Sequence, residues 1–261
     1  MSIISPTALW TKTAEVLPSP PASEFLNIEA LKTINSRLDL FRVDTPIKVN
    51  VFQSMLEAAG HPNPSFYLSV CTGLHHGFWP WADTHYGEYL TTWEETTPIP
   101  ANSEEHQFLR DQIAKEVRVG CYSFDFGPDL LPGMYTMPIH AVPKEGGKHR
   151  LVTNHSTGSF SLNSMIAKAD IAGVTLDNVQ HLGNALRQYR QHEGDSPLVI
   201  WKADVSEAYR HMPMHPLWQI KQIVSFEGRQ HVDRANIFGG RASQRIFHAF
   251  MSLIIWLAIF V

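Results

Sequence analysis

Lys202-Ala203-Asp204-Val205-Ser206-Glu207-Ala208-Tyr209-Arg210-His211-Met212-Pro213-Met214-His215-Pro216 is the stretch on which the reading of this chain turns. The apolar run 198–201 predicts a strand through Ala203 that delivers one carboxylate, Asp204, at its end. Ala208 and Tyr209 follow within about one helical turn, so a small residue and a ring stand close to the acid. A carboxylate at the dry edge of a sheet can hold Mg²⁺ through hard oxygen. The competing reading is a helix cap, because Asp followed by Val-Ser-Glu-Ala also suits a short helix start. The motif by itself does not separate the two.

The bulk numbers set the frame. The chain has 261 residues, 44% hydrophobic and 18% charged, which allows one large domain or two small ones with a sizeable core. A net charge of −4 argues against a uniformly basic nucleic-acid binder, yet the charge is uneven. Residues 83–129 carry ten Asp/Glu against three Lys/Arg, and residues 198–248 carry seven Lys/Arg against four Asp/Glu. A local basic surface steers phosphate even on an acidic protein; a solvated face gives the same counts. Two cysteines, Cys71 and Cys121, cannot build a disulfide framework. They point to a reducing intracellular compartment, cytosol or nucleus. The opening Met-Ser-Ile-Ile-Ser-Pro lacks the basic and apolar regions of a secretory signal.

Outward from 202–216 the pattern predicts a mixed order of helices and hairpins, an α+β chain. Dense proline at 18–21 predicts a flexible arm over 1–25. Asp44-Thr45-Pro46 reads as a helix start, with Phe52, Met55, Leu56 and Ala59 on one face and Gly60 after it. A second helix is expected over 65–76, with Phe66, Val70 and Leu74 inward and Gly77 closing it. Phe78-Trp79-Pro80-Trp81 reads as packing, with a base-stacking platform as the alternative. Asn102 or Ser103 opens a helix with Leu109, Ile113 and Val117 on one stripe. Residues 134–142 and 148–153 form a predicted hairpin around Glu145-Gly146-Gly147, with Pro138 marking an edge strand. A helix is expected over 177–191 with Val179, Leu182, Leu186 and Tyr189 inward. A strand over 220–226 turns back at Glu227-Gly228, and Gly239-Gly240 precedes a last helix that Ser243 caps. Residues 249–261 are apolar apart from Ser252, too short for a bilayer span of roughly twenty residues. They read as a buried helix and no membrane partner is expected. Left exposed, they favour aggregation or a protein partner.

Three further groups carry chemistry. Lys144, Lys148, His149 and Arg150 surround a glycine turn, where backbone amides approach a phosphate and Arg150 can grip it with two donors. An ordinary solvated hairpin tip has the same composition. Phe238-Gly239-Gly240-Arg241-Ala242-Ser243 puts a glycine pair before a helix, where a base or backbone can lie close; a plain strand-to-helix connection reads the same. His211 and His215 have zinc-like spacing, but Pro213 spoils the helix between them.

Taken in order, these pieces resemble a reverse transcriptase. The carriers are Met137–Ser156 (Met-Pro-Ile-His-Ala-Val-Pro-Lys-Glu-Gly-Gly-Lys-His-Arg-Leu-Val-Thr-Asn-His-Ser), Leu162-Asn163, residues 204–216, Phe226-Glu227-Gly228 and residues 238–243. The resemblance covers about residues 134–250, and its flavour is that of fungal retrotransposons of DIRS-like type. It implies a helical N-terminal region at 26–100, a fingers-like subdomain at 101–197 and a partial palm at 198–261 of a right-hand polymerase fold. It implies roles as well. Asp204 matches the catalytic, Mg²⁺-binding palm aspartate, with the Val205 carbonyl as a further ligand. Arg150, assisted by Lys148, matches the contact to the incoming triphosphate. Tyr209 matches the steric gate that favours deoxynucleotides, and Gly239 the glycine over which the nascent base pair slides. The implied partners are an RNA or DNA template–primer and dNTP.

The sequence also departs from that family. Asn154 stands where aspartate is usual, and residues 232–236 are more polar than usual. No Asp-Asp pair occurs anywhere in the chain, so the family's Tyr-x-Asp-Asp hairpin is missing, as is the thumb. Two-metal phosphoryl transfer holds both ions about 4 Å apart with several carboxylates, which Asp204 alone cannot do. The expectation is therefore a truncated, inactive reverse-transcriptase domain with weak or absent Mg²⁺. The alternatives are a non-catalytic nucleic-acid-binding or partner-binding remnant of the same fold, and an unrelated α+β scaffold with a metal hydrolase site of His211, His215 and Asp204.

Overall fold

The structure, a computed structural model, describes residues 5–84, 91–100, 103–200 and 202–260. Its N-terminal part is helical. Ser5 caps α1 (Pro6–Trp10) by accepting from the Ala8 amide, with proline at the first turn. α2 (Ile28–Ser36), α3 (Val49–Ala58) and α4 (Pro64–His76) follow. Asn63 caps α4, Phe66, Val70 and Leu74 are buried on its inner face, and Gly77 ends it at φ 89°. Gly77 must be glycine there, since a Cβ would lie 2.4 Å from the Met214 carbonyl oxygen. The helix expected at Asp44-Thr45-Pro46 starts later, at Val49. Thr45 Oγ1 donates instead to the His211 carbonyl (2.8 Å) and accepts from the Ile47 amide (3.2 Å), which holds 45–47 as a turn.

The last helix, α8 (Ser243–Phe260), is the spine of the main core. Ile246, Ala249, Leu253, Trp256 and Leu257 are buried along it. Trp10 of α1 meets His248, Phe52 of α3 meets Phe250, and His61 meets Trp256, at ring separations of 4.7, 5.2 and 4.5 Å. One sequence expectation is corrected by this and another is met. The N-terminal arm is not loose over 5–17, because Ala8, Thr11, Ala14 and Leu17 are buried. The apolar stretch 249–260 is part of a core helix, as its pattern led one to expect, and α1 and α4 pack on α8. By length and composition α8 could cross a membrane, but it serves here as a core helix.

A second, smaller core joins α5 (Glu104–Arg118) to the hairpins: Leu109 and Ile113 pack with Tyr122, Ile139, Val224 and Phe226. Ser103 caps α5 through the His106 amide (3.1 Å). The first hairpin pairs β1 (Ile139–Pro143) with β2 (His149–Thr153) antiparallel, Val142 opposite Arg150. Its strands are shorter than expected. Residues 134–137 peel away to run beside β3 (Ile223–Phe226), with the Met137 amide donating to the Ile223 carbonyl (3.1 Å). β3 pairs with β4 (Arg229–Val232) across the turn at Glu227-Gly228, which has φ of 50° and 70°. The expected start at Ile220 falls instead just after the short helix α7 (Pro216–Gln219).

Two predictions fail between the hairpins. α6 (Val179–Glu193) forms behind its Asn178 capping box, but none of its residues is buried, and Val179 is 83% exposed. Its apolar face is left unburied among the described residues. The strand expected over 198–203 does not form. A strand needs its amides and carbonyls taken up by another strand, and among the described residues 198–205 make no backbone–backbone hydrogen bond. Val199 and Ile200 lie 83% and 66% exposed. Trp201 lies outside the described residues. The whole is thus an α+β chain with helices and antiparallel hairpins.

Candidate functional site

A cleft of about 670 Å³ opens between α5, the β1–β2 hairpin and the turn that follows Asp204. Lys144, His149 and Arg150 come from the hairpin, and Gln112, Lys115 and Glu116 from α5. Asp204 to Arg210 form the third wall, and Phe238 and Phe247 close one end.

The Arg150 guanidinium lies 4.9 Å over the Phe238 ring. On the same ring rests Tyr209, with centroids 4.6 Å apart and planes tilted 33°, and Phe247 meets Tyr209 edge-on at 5.5 Å. Phe238 thus joins a cation reaching in from β2 to a ring on the Asp204 turn. Burial raises the Tyr209 hydroxyl above its ordinary pKa, so the ring presents a neutral phenol.

The turn itself is gripped from α5. Glu207 sits in the left-handed region at φ 53°, and its carboxylate binds the Lys115 ammonium. Beside it, the Arg210 side chain is largely covered and donates from Nε and Nη2 to Glu116 Oε2 (3.1 and 2.8 Å). Its Nη1 donates to both oxygens of Asp233, at 2.9 and 3.0 Å. Glu116 is steadied by Gln112 (2.7 Å), and Asp233 by the Ala235 amide (3.1 Å). One guanidinium faces two buried carboxylates, so the group carries excess negative charge. Burial pushes Asp233 up to about 7, with Arg210 pulling back only in part. Burial disfavours the charge on Arg210, but Asp233 and Glu116 outweigh it and hold the guanidinium firmly protonated.

Of the residues marked in the sequence, the structure brings Arg150, Asp204, Val205 and Tyr209 to one cleft. Asp204 lies on an exposed loop, not at a strand end, and it makes no hydrogen bond or ion pair among the described residues. Lys148 stands outside, exposed at the hairpin tip, where its carbonyl accepts from the Lys144 amide (2.6 Å); Lys144 lines the cleft in its place. Gly239 also lies off the cleft. At φ 113° its missing Cβ points to within 2.8 Å of the Thr153 carbonyl oxygen, and its own carbonyl accepts from Asn163 Nδ2 (2.9 Å). The glycine therefore lets the chain pass close to β2. The hydrolase site of His211, His215 and Asp204 is not assembled. His211 Nε2 lies 3.0 Å from the Ser206 carbonyl, His215 Nδ1 accepts from the Leu217 amide, and no metal-holding cluster occurs among the described residues.

Arg210, Glu116 and Phe238 were given no role by the sequence. One signal for Glu116 was present: it falls on the Leu109–Ile113 stripe, and a charge on an apolar face calls for a buried partner.

No family model matches the chain, and no curated protein does. Among solved structures it is similar to the foamy viral protease-reverse transcriptase dRH in complex with double-stranded DNA. Identity there is 16%, coverage 81% of this chain and 36% of that one, and the TM-score 0.40. Native Prototype Foamy Virus protease-reverse transcriptase gives 15%, 81%, 27% and 0.39. The chain spans between 27% and 41% of the length of these viral proteins.

Proposed function

We propose that the cleft is the nucleotide site of a reverse-transcriptase-like protein of DIRS-like retrotransposon lineage. The observation that carries this reading is the meeting of Arg150, Asp204 and Tyr209, distant in sequence, on one cleft of nucleotide size. Arg150 and Lys144 supply charge for a triphosphate, Arg150 with a planar fork suited to its oxygens. Tyr209 offers a flat apolar wall for the sugar, and the order of motifs from 137 to 243 supports the same assignment. The donor set fits one hydrated Mg²⁺ held by the Asp204 carboxylate and the Val205 carbonyl, since Mg²⁺ is commonly bound through one or two carboxylates plus phosphate oxygens. It does not fit two, because Glu116 and Asp233 are already committed to Arg210. This polypeptide by itself therefore binds nucleotide and template–primer without extending the primer.

The test uses the full chain, a labelled template–primer and dATP with Mg²⁺. Binding of both is expected, with Arg150→Ala weakening dATP by at least about tenfold, the worth of a charged hydrogen bond. Failure to bind either ligand removes the reading. Asp204-dependent primer extension in Mg²⁺ or Mn²⁺ removes the claim that one carboxylate is too few.

A further inference from the structure

The side chain next to the proposed sugar wall is more tightly held than the wall itself. Lys115 and Glu116, consecutive on α5, seize Glu207 and Arg210, the two ends of the turn that contains Tyr209. The backbone between them is closed by the Arg210 amide on the Glu207 carbonyl (2.7 Å) and the Met212 amide on the Tyr209 carbonyl (3.0 Å). Arg210 is further fastened to Asp233 just past β4, lies 5.5 Å over the Tyr122 ring, and reaches the Asn236 carbonyl at 3.4 Å. Three separate parts of the chain thus converge on the guanidinium that the turn supplies: α5, the segment at 122 and the residues just past β4. The Tyr209 ring meets Phe238 and Phe247 and makes no side-chain hydrogen bond among the described residues, so its height in the cleft follows from the backbone that Arg210 anchors.

We infer that Arg210 is a positioning residue for sugar selection: gripped by Glu116 and Asp233, it fixes the level of the Tyr209 ring and so the room left for a 2′-hydroxyl. The inference rests on the nucleotide reading above. A planar fork is needed because two carboxylates approach from different elements and each takes its own nitrogens. A lysine retains the charge but reaches one carboxylate at a time, so it should fill the same pocket while letting the turn shift. Loss of the fork costs selectivity before it costs affinity, because the triphosphate contacts come from the other wall.

The experiment measures dissociation constants for dATP and ATP, both with Mg²⁺, on the full chain with a template–primer whose next templating base is thymine. Wild type should prefer dATP by about tenfold or more, the discrimination that a close-fitting wall gives against one added group. Tyr209→Ala should erase that ratio. Arg210→Lys should reduce it at least about threefold while dATP affinity stays within about twofold. Glu116→Gln, which keeps a hydrogen-bonding side chain of the same size, should do the same, and it reports if Arg210→Lys fails to fold. An unchanged ratio in the folded Arg210 or Glu116 variant overturns the inference and leaves the nucleotide reading standing. Wild type that binds neither nucleotide removes both.

Discussion

Asp204 and Arg210 lie on one turn and line one cleft, yet their surroundings are opposite. Arg210 is sunk among Glu116, Asp233 and Tyr122, with each guanidinium nitrogen engaged. Asp204 is exposed on a loop whose backbone pairs with nothing among the described residues. The invested structure is therefore around Arg210, while the carboxylate proposed to take Mg²⁺ is left exposed. A cleft can be shaped firmly by its framework and still carry a loosely held acid.

The largest expected effect tests the firm side. Arg210→Met leaves two buried carboxylates facing each other without a cation, and should cost about 3–5 kcal/mol in urea unfolding. A loss below about 1 kcal/mol would mean that the cluster is solvated and the contrast is false.

Titration gives the next effect. Burial lowers His155 to about 3, and His215 and His248 to about 4, so all three are neutral in the fold. Their folded values lie below the unfolded one, so the stability they carry is present above about pH 6.5 and is lost as pH falls toward 4. Asp233, raised to about 7, works the other way. Its contribution is present below about pH 4 and is lost as pH rises through 7. Three groups outweigh one, so melting temperature should fall from pH 6.5 to 4. His155→Gln should flatten that fall and Asp233→Asn should steepen it. A slope indifferent to Asp233→Asn would place that carboxylate in water.

The smallest effect tests the loose side. Asp204→Asn should change stability by less than about 0.5 kcal/mol, as an exposed substitution does, while abolishing any Mg²⁺-dependent gain in nucleotide affinity. Strong destabilisation would mean that Asp204 is a structural cap after all.

Much of the frame was legible in sequence because its signals are local. Ser103 and the glycines at 77 and 228 marked ends that form close to where they were read. The α4 stripe and the hairpin around Gly146 obeyed their periods. Residues 198–203 carried an equally apolar signal and formed no strand, because pairing depends on a neighbour that local pattern does not contain. α6 teaches the same lesson, with an amphipathic face left unburied among the described residues. At the site, Arg150, Asp204 and Tyr209 were readable as residue types in order, whereas the contact that Arg150 and Tyr209 share with Phe238 was not. Arg210 was hidden for a different reason: an arginine in sequence defaults to solvent, and only Glu116 on a buried stripe hinted at its partner.

The docking of α1 on α8 sets terms for how this chain is made. Those helices come from opposite sides of the sequence, so the Trp10–His248 contact must wait for α8 in any synthesis that runs from the N-terminus. Until α8 leaves the ribosome, Phe52 lacks its Phe250 partner and α1 lacks the helix it packs on, so both stay open to chaperones or to neighbouring chains. Nascent polypeptides stalled before residue 243 should be recovered with holdases, and those released after it should not.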